Sequence, residues 1–398
     1  MGDVMIPFDE AIGLINDQAT TLGEEVVPFE RAAGRVLTRA LDARRDAPFS
    51  AVAAMDGYAV IDSATRPGEA LRVIGQSAAG TGFTDALKPG DAVRIFTGAP
   101  MPQGSDRCIM QEYAERNGDL VVFKEDYGPG WHVRPPGSDF RKGDRLVSPG
   151  TRLGARAMVA AAAADLATVS VSVQPRVAII GTGDELMVPG TAYTRADAIA
   201  ESVTYGVAAM AAASGAEVIE RALASDDLPA LEDLAGTMLS CADVVIVTGG
   251  ASVGERDFAK PMFAPHGLEL VFAKAAIKPG KPVWLGRAKG KWVLGLPGNP
   301  TSAMVTARLF LMPLLARLQG QPIADVNCWR KMVLAEELPT TGGRETFIRA
   351  SWGKDGLVPV TNQDSGAQRA LMHADWLIRR LPNAPACRAG EHVSALAF

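Results

Sequence analysis

The residues with chemistry to offer fall in short, glycine-punctuated stretches of this 398-residue chain. KPGKP at 278–282 sets Lys278 and Lys281 around a Pro-Gly turn. Two ammonium groups held close repel each other unless an anion sits between them, so the stretch reads as an oxyanion site or as a solvated turn. LPGNPTS at 296–302 joins a turn to a helix start, with Asn299 as N-cap and Pro300 at the first helical position. There Ser302 and the first backbone N–H groups can face an anion, or the motif is a cap and nothing more. IIGTGDEL at 179–186 follows a strand-like run but lacks the third glycine of a dinucleotide fingerprint. It leaves Asp184 and Glu185 at a strand end, as ligands or as a polar turn. AMDGYAV at 54–60 places Asp56 before a glycine, which is also common hairpin chemistry.

VTGGASVGERD at 247–257 is the most ambiguous stretch. It contains G-x-S-x-G, the pattern of a hydrolase nucleophile elbow, with Ser252 as nucleophile and His266, His373 and His392 downstream. Against that stand the double glycine before the serine, the charges of Glu255, Arg256 and Asp257 after it, and the lack of an HGGG-type oxyanion motif upstream. A tight structural turn is a second reading. A ligand loop is the third: glycines admit a ligand close to the backbone, N–H groups at a helix start favour anions, and a carboxylate can hold a cation that neutralises phosphate.

Four histidines and no C-x-x-C pair argue against a zinc site, so any metal is expected to be a hard, Mg²⁺-like cation on Asp or Glu. Net charge is −5 with no basic run, which argues against nucleic acid as the main partner. The N-terminus carries acids where a signal peptide needs positive charge, and the longest apolar stretches are too short to span a bilayer. With four unpaired-looking cysteines, this places the chain in a reducing, cytoplasmic setting, away from membranes.

Periodicity predicts the strands and helices that carry these motifs. Phe8, Ala11, Ile12 and Ile15 recur at helical spacing. Residues 46–145 are dense in Gly and Pro with short β-like runs, and read as a β-rich inserted domain. Residues 1–45 and 146–174 form a linking helical/β domain around it, including an Ala-rich helix at 154–167. From 175 to 326, PRVAII, AEVIERAL, DVVIVT and LELVFA alternate with segments that can be helical at 197–213, 227–240 and 256–265. That alternation argues for a three-layer α/β domain with a mainly parallel sheet. KPVWLG and WVLGLP read as a hairpin, and 299–318 as a helix ended by GQP. Residues 327–398 read as a C-terminal β domain, barrel-like in the fold expected. The fold class is therefore mixed α/β and multidomain.

Each motif is weak alone, but their order is specific. MDGYAV, TGAPMP, VRPPGSD, PRVAIIGTGDEL, GGASVGERDF, IKPGKP, LPGNPTS, GGRETFIR and QDSG succeed one another along nearly the whole chain. This series resembles the molybdopterin molybdenumtransferase family, MoeA and the gephyrin E domain. The resemblance implies the last step of molybdenum cofactor synthesis: molybdate enters the dithiolene of adenylylated molybdopterin, AMP leaves, and a divalent cation such as Mg²⁺ assists. It also implies an elongated homodimer of four subdomains with a cleft shared between chains. A separate molybdopterin adenylyltransferase is a further candidate partner.

Residue by residue, the resemblance assigns molybdate to Lys278, Lys281, Ser302, Arg344 and Ser365. Tetrahedral dianions need such ammonium, guanidinium and hydroxyl donors. Asp56, Thr97, Asp139, Glu185, Asp226, Asp257, Lys274, Pro297 and Pro300 match cleft positions. Glu185 and Asp257 are the expected cation ligands, while Gly249, Gly250 and Ser252 cradle phosphate, which makes Ser252 a hydrogen-bond donor. Two departures stand out. PFSAVAAMDGY is one residue longer than the family's usual stretch, with Ala where Ser is expected, and Glu201-Ser202-Val203 stands where Asp-Ser-Asn is usual. They keep open a paralogue that binds without turnover.

Overall fold

A computed structural model describes residues 4–249 and 257–398. The chain forms two compact units: Met1–Arg39 with Pro149–Gly154 and Thr168–Phe398, and Ala40–Ser148 with Ala155–Ala167.

The larger unit is built on six strands: β1 (Arg176–Thr182), β2 (Glu217–Ala224), β3 (Val244–Thr248), β4 (Glu269–Phe272), β5 (Trp284–Ala288) and β6 (Lys291–Leu296). Their order across the sheet is β2-β1-β3-β6-β5-β4. The first four run parallel, while β5 returns antiparallel beside β6 and β4 antiparallel beside β5. Side chains of a strand alternate between faces, and here both faces are apolar. Val177, Ile179, Val244, Ile246, Leu294 and Leu296 enter one core, with α1 (Val203–Ala213), α3 (Pro300–Leu318) and the N-terminal helix Phe8–Gln18. Ala178, Ile180, Val245, Val247 and Val293 enter the other, with α2 (Leu228–Cys241) and the turn Pro261–His266. This is the three-layer arrangement expected from the alternating runs.

Three details differ from the expectation. Residues 197–202 are not helical: Ile199–Ala200 pairs parallel with Leu186–Met187, and α1 begins at Val203. Helix α3 widens into a π turn at Ala307–Leu311, immediately before Pro313. A proline inside a helix lacks an N–H and its ring presses on the preceding turn, and the wider turn absorbs both. By length and composition α3 could cross a membrane, but 83% of it is buried in the core, which makes it the central helix of this unit.

The C-terminal sheet runs Ile277–Lys278, Glu345–Gly353, Trp376–Arg380, His392–Ala397, Arg330–Val333, with Gly356–Pro359 also paired to Glu345–Gly353. A bridge between Leu334 and Leu357, with Ala335 N–H donating to the Leu357 carbonyl at 2.8 Å, closes the ring into the barrel-like form expected.

The smaller unit centres on a six-stranded sheet ordered Arg107–Met110, Gly57–Val60, Asp91–Ile95, Ala70–Ser77, Leu120–Phe123, Ala114–Asn117. Short runs broken by Gly and Pro give short strands, as expected of 46–145.

Candidate functional site

The parallel strands deliver their loops to one edge of the sheet. Gly181 of β1 is registered with Thr248 of β3, and Thr248 with Leu296 of β6. The loops carrying Glu185, Gly249 and Pro297 therefore leave side by side at the carboxyl ends, where open α/β sheets bind ligands. The packing there is tight. Gly249 has φ +98°, and a Cβ on it would lie 2.3 Å from the Thr182 carbonyl oxygen, so only glycine fits. A Cβ on Gly298 would lie 3.3 Å from the Gly249 Cα. Asp226, at the end of β2, joins the group by donating its N–H to the Asp184 carboxylate at 3.0 Å. Glu185 is exposed, and its carbonyl accepts from Ile199 N–H at 2.7 Å. Gly250 and Ser252 lie outside the described residues.

Asp257 follows this loop. One of its carboxylate oxygens, Oδ1, is buried without a hydrogen-bond partner among the described residues. Burial pushes its carboxyl above the ordinary value, against the Ala259 N–H and the charges of Lys260 and Lys274. Lys274 lies on Lys274–Ala275, which pairs with Met5–Ile6 and leads into the KPGK turn.

That turn is built into the C-terminal sheet. Ile277 and Lys278 pair with Glu345 and Thr346, and the Arg344 guanidinium donates to the Ile277 carbonyl at 3.2 Å. The Arg344 guanidinium is thus held at the carbonyl of the peptide that joins Ile277 to Lys278. Ala275 N–H donates to the Lys281 carbonyl at 3.2 Å and folds the turn back on itself. Gly280, at φ +102°, meets helix α3: a Cβ there would stand 2.2 Å from the Thr306 methyl. Lys278 and Lys281 are exposed. Among the described residues no carboxylate pairs with Lys278, Lys281 or Arg344 within 4.0 Å.

The start of α3 completes the cluster. Asn299 is at the N-cap but makes no side-chain cap; its amide donates instead to the Ser365 hydroxyl at 3.0 Å. Thr301 N–H donates to the Ser365 carbonyl at 3.0 Å. Pro300 is half-buried, Pro297 and Ser302 are buried. Lys278, Lys281, Arg344, Ser302 and Ser365 are therefore linked into one region by strand pairing, the Gly280–Thr306 contact and the Ser365 bonds. Such a region offers ammonium, guanidinium, hydroxyl and helix N-terminal donors and no paired carboxylate, which suits an oxyanion.

Arg349 was missed by sequence reading. It is fully buried, donates to the Thr301 hydroxyl at 3.0 Å and to the Asp364 carbonyl at 3.3 Å, and so braces the α3 start against the Ser365 loop. An arginine inside the apolar run TFIRA was the available signal.

In the smaller unit, Asp56 and Thr97 are brought together: the Thr97 N–H and hydroxyl both donate to Asp56 Oδ1 at 2.7 Å. These bonds, the N–H first, hold the Asp56 carboxyl below its ordinary value. Asp139 is exposed, with its N–H on the Ala47 carbonyl at 3.0 Å. The lengthened loop before Asp56 therefore still delivers its carboxylate to Thr97.

At the other departure, Glu201 is buried and caps α1, accepting from Thr204 N–H at 2.7 Å and from its hydroxyl at 2.5 Å. Val203 lines a cavity of about 440 Å³ with Gly206, Met210, Met304, Leu371 and Met372.

A three-layer α/β unit joined to a closed C-terminal β domain defines a multidomain α/β protein, and the donors gathered on it are of the kind that suit an oxyanion. Comparison with known proteins supplies the family. Residues 6–164 match the MoeA N-terminal region (domains I and II), 178–317 a probable molybdopterin binding domain, and 331–398 the MoeA C-terminal region (domain IV). A molybdopterin molybdenumtransferase of Haemophilus influenzae is 36% identical over 315 residues, 77% of this chain and 78% of the relative. One from a Nostoc species is 34% identical over 349 residues, 84% of this chain and 78% of the relative. A crystal structure of a molybdopterin biosynthesis MoeA protein from Pyrococcus horikoshii superposes with a TM-score of 0.82 at 26% identity, covering 99% of this chain and all of that one. The chain belongs to the MoeA family of molybdopterin molybdenumtransferases.

Proposed function

We propose that this chain, a molybdopterin molybdenumtransferase of molybdenum cofactor biosynthesis, inserts molybdate into adenylylated molybdopterin with release of AMP, and does so mainly by positioning. The observation that carries the reading is the joining of Lys278, Lys281, Arg344, Ser302 and Ser365 in one region, with no ion-pairing carboxylate on the cations among the described residues. Two anions, molybdate and the substrate's phosphates, must lie close together. Their repulsion is offset by fixed cations and oriented N–H groups. In this reading Lys278, Lys281 and Arg344 hold the dianion while Ser302, Ser365 and the N-terminus of α3 orient its oxygens. Gly249, Gly250 and Ser252 take phosphate in this reading, together with Glu185, Asp226, Lys274, Pro297 and Pro300. Asp56, Thr97 and Asp139, on the smaller unit, are further substrate-binding residues in this reading.

The residues present fit a divalent cation. Mg²⁺ keeps several waters and needs only one or two carboxylates. The orphaned Asp257 Oδ1 supplies one acceptor and Glu185 is the candidate second, although no three His, Cys, Asp or Glu side chains converge among the described residues. Such an ion, when bound, supplies Lewis-acid polarisation of the phosphoanhydride. Further parts of the reading are a homodimer, a separate adenylyltransferase as supplier, a cytoplasmic setting, and the four-part division into 1–45 with 146–174, 46–145, 175–326 and 327–398.

The test is AMP release from adenylylated molybdopterin with Mg²⁺, with and without molybdate. Molybdate-dependent release supports the reading. Tight substrate binding without release would mark a binding paralogue and direct attention to Val203.

A further inference from the structure

We infer that Arg379 is a positioning residue for the oxyanion region: it holds the buried Glu345 carboxylate so that this charge neither pairs with the region's cations nor repels a bound anion. The inference rests on the oxyanion reading above.

Glu345 sits where a negative charge is least welcome. It directly follows Arg344 and is registered opposite Ile277, one residue from Lys278. Its N–H donates to the Ala276 carbonyl at 3.0 Å. Its side chain points to the inner face of the sheet with Ile277, and the residue is 6% exposed. A carboxylate buried there without a partner is strongly unfavourable. Its field also reaches the neighbouring anion site, whose Lys278 lies one residue from Ile277.

Arg379 answers both problems. It lies two residues along on the adjacent strand, opposite Phe347, and its Nε donates to Glu345 Oε1. Its other arm donates to Asp9 at 2.7 Å, on the N-terminal helix. The guanidinium also stands 5.1 Å from the Phe8 ring centre and 5.4 Å from that of Trp329. Bonded at both ends and flanked by two rings, Arg379 keeps the Glu345 carboxylate turned inward, while among the described residues the Arg344 side chain bonds the Ile277 carbonyl. A planar fork is suited to this in a way lysine is not.

The experiment measures inorganic molybdate binding to the full chain by calorimetry, for the unmodified protein, Arg379→Met, Glu345→Gln and the double variant. Arg379→Met should bind about tenfold more weakly, because it leaves the carboxylate uncompensated. Glu345→Gln should bind as the unmodified chain does, and the double variant should recover to within about threefold of it, a non-additivity expected of coupled residues. A residue that merely supports the fold would lower the melting temperature without this recovery. A double variant as weak as Arg379→Met, or an unaffected Arg379→Met, overturns the inference. If Arg379→Met does not fold alone, the double variant decides: near-normal affinity supports charge masking and a tenfold loss refutes it. No binding by the unmodified chain overturns the oxyanion reading itself, and this inference with it.

Discussion

The Asn299 amide donates to the Ser365 hydroxyl across 66 residues of sequence, and the Thr301 N–H donates to the Ser365 carbonyl. The start of α3 is thereby fixed to the loop of the closed C-terminal sheet, which joins the two halves of the proposed anion site. Asn299→Ala removes the side-chain bond and leaves the backbone bond. A neutral hydrogen bond contributes about 1 kcal/mol, so stability should fall by about that much. Molybdate affinity should fall several-fold because Ser365 is released. Calorimetric titration checks this; unchanged affinity in a folded Asn299→Ala protein counts against the role given to Ser365.

Asp56 accepts twice from Thr97, and its carboxyl lies below the ordinary value for that reason. Thr97→Val deletes the hydroxyl and keeps the N–H. The Asp56 carboxyl should then titrate at higher pH than in the unmodified chain. Carbon-detected NMR titration follows it directly. Identical titration in the two proteins would remove the hydroxyl from the explanation.

Asp243 sits at the foot of the central sheet. It accepts from the Arg176 N–H at 3.0 Å and from Lys291 Nζ at 3.0 Å, and so ties the starts of β1, β3 and β6. Burial acts to raise its pKa, but these bonds and the charges of Lys291 and Arg176 outweigh it, and the net shift is downward. A lowered folded-state pKa stabilises the fold above the unfolded value of about 3.9 and loses that contribution as pH falls through the folded value. Asp243→Asn should therefore be less stable than the unmodified chain at pH 7, with the gap closing below about pH 4. Urea unfolding across pH measures it; a gap that does not narrow as pH falls below about 4 contradicts the assignment.

Gly280 meets the Thr306 methyl in a backbone conformation that L side chains rarely adopt. Gly280→Ala should cost about 2 kcal/mol or more, from strain and overpacking together. Adding Thr306→Ser, which removes the methyl, should recover only the packing part. Full recovery would mean that the backbone there is not strained.

Much of this was legible in the sequence for reasons that can be named. Ile179 and Ile180, like Ile246 and Val247, are apolar at both parities, and a strand buried on both faces must be. The KPGK and LPGNPTS turns stood out because their residue types are constrained locally. What was not legible depends on partners distant in the chain. Asn299 reads as a cap, and only the fold shows its amide spent on Ser365. Arg349 looks misplaced in an apolar strand until Thr301 and the Asp364 carbonyl are seen beside it. Residues 197–202 were expected to be helical, yet Ile199–Ala200 takes its partner from Leu186–Met187, and Glu201 supplies the cap that starts α1 two residues later.

In the proposed reaction Lys278 and Lys281 hold the molybdate that drives AMP release. The decisive measurement is the molybdate dependence of AMP release from adenylylated molybdopterin by the unmodified chain and by Lys278→Ala and Lys281→Ala. The expected result is release that requires molybdate in the unmodified chain and falls at least about a hundredfold in either variant, the usual scale for losing one charge-stabilising donor. Variants that release AMP at the normal rate with an unchanged molybdate requirement would contradict it.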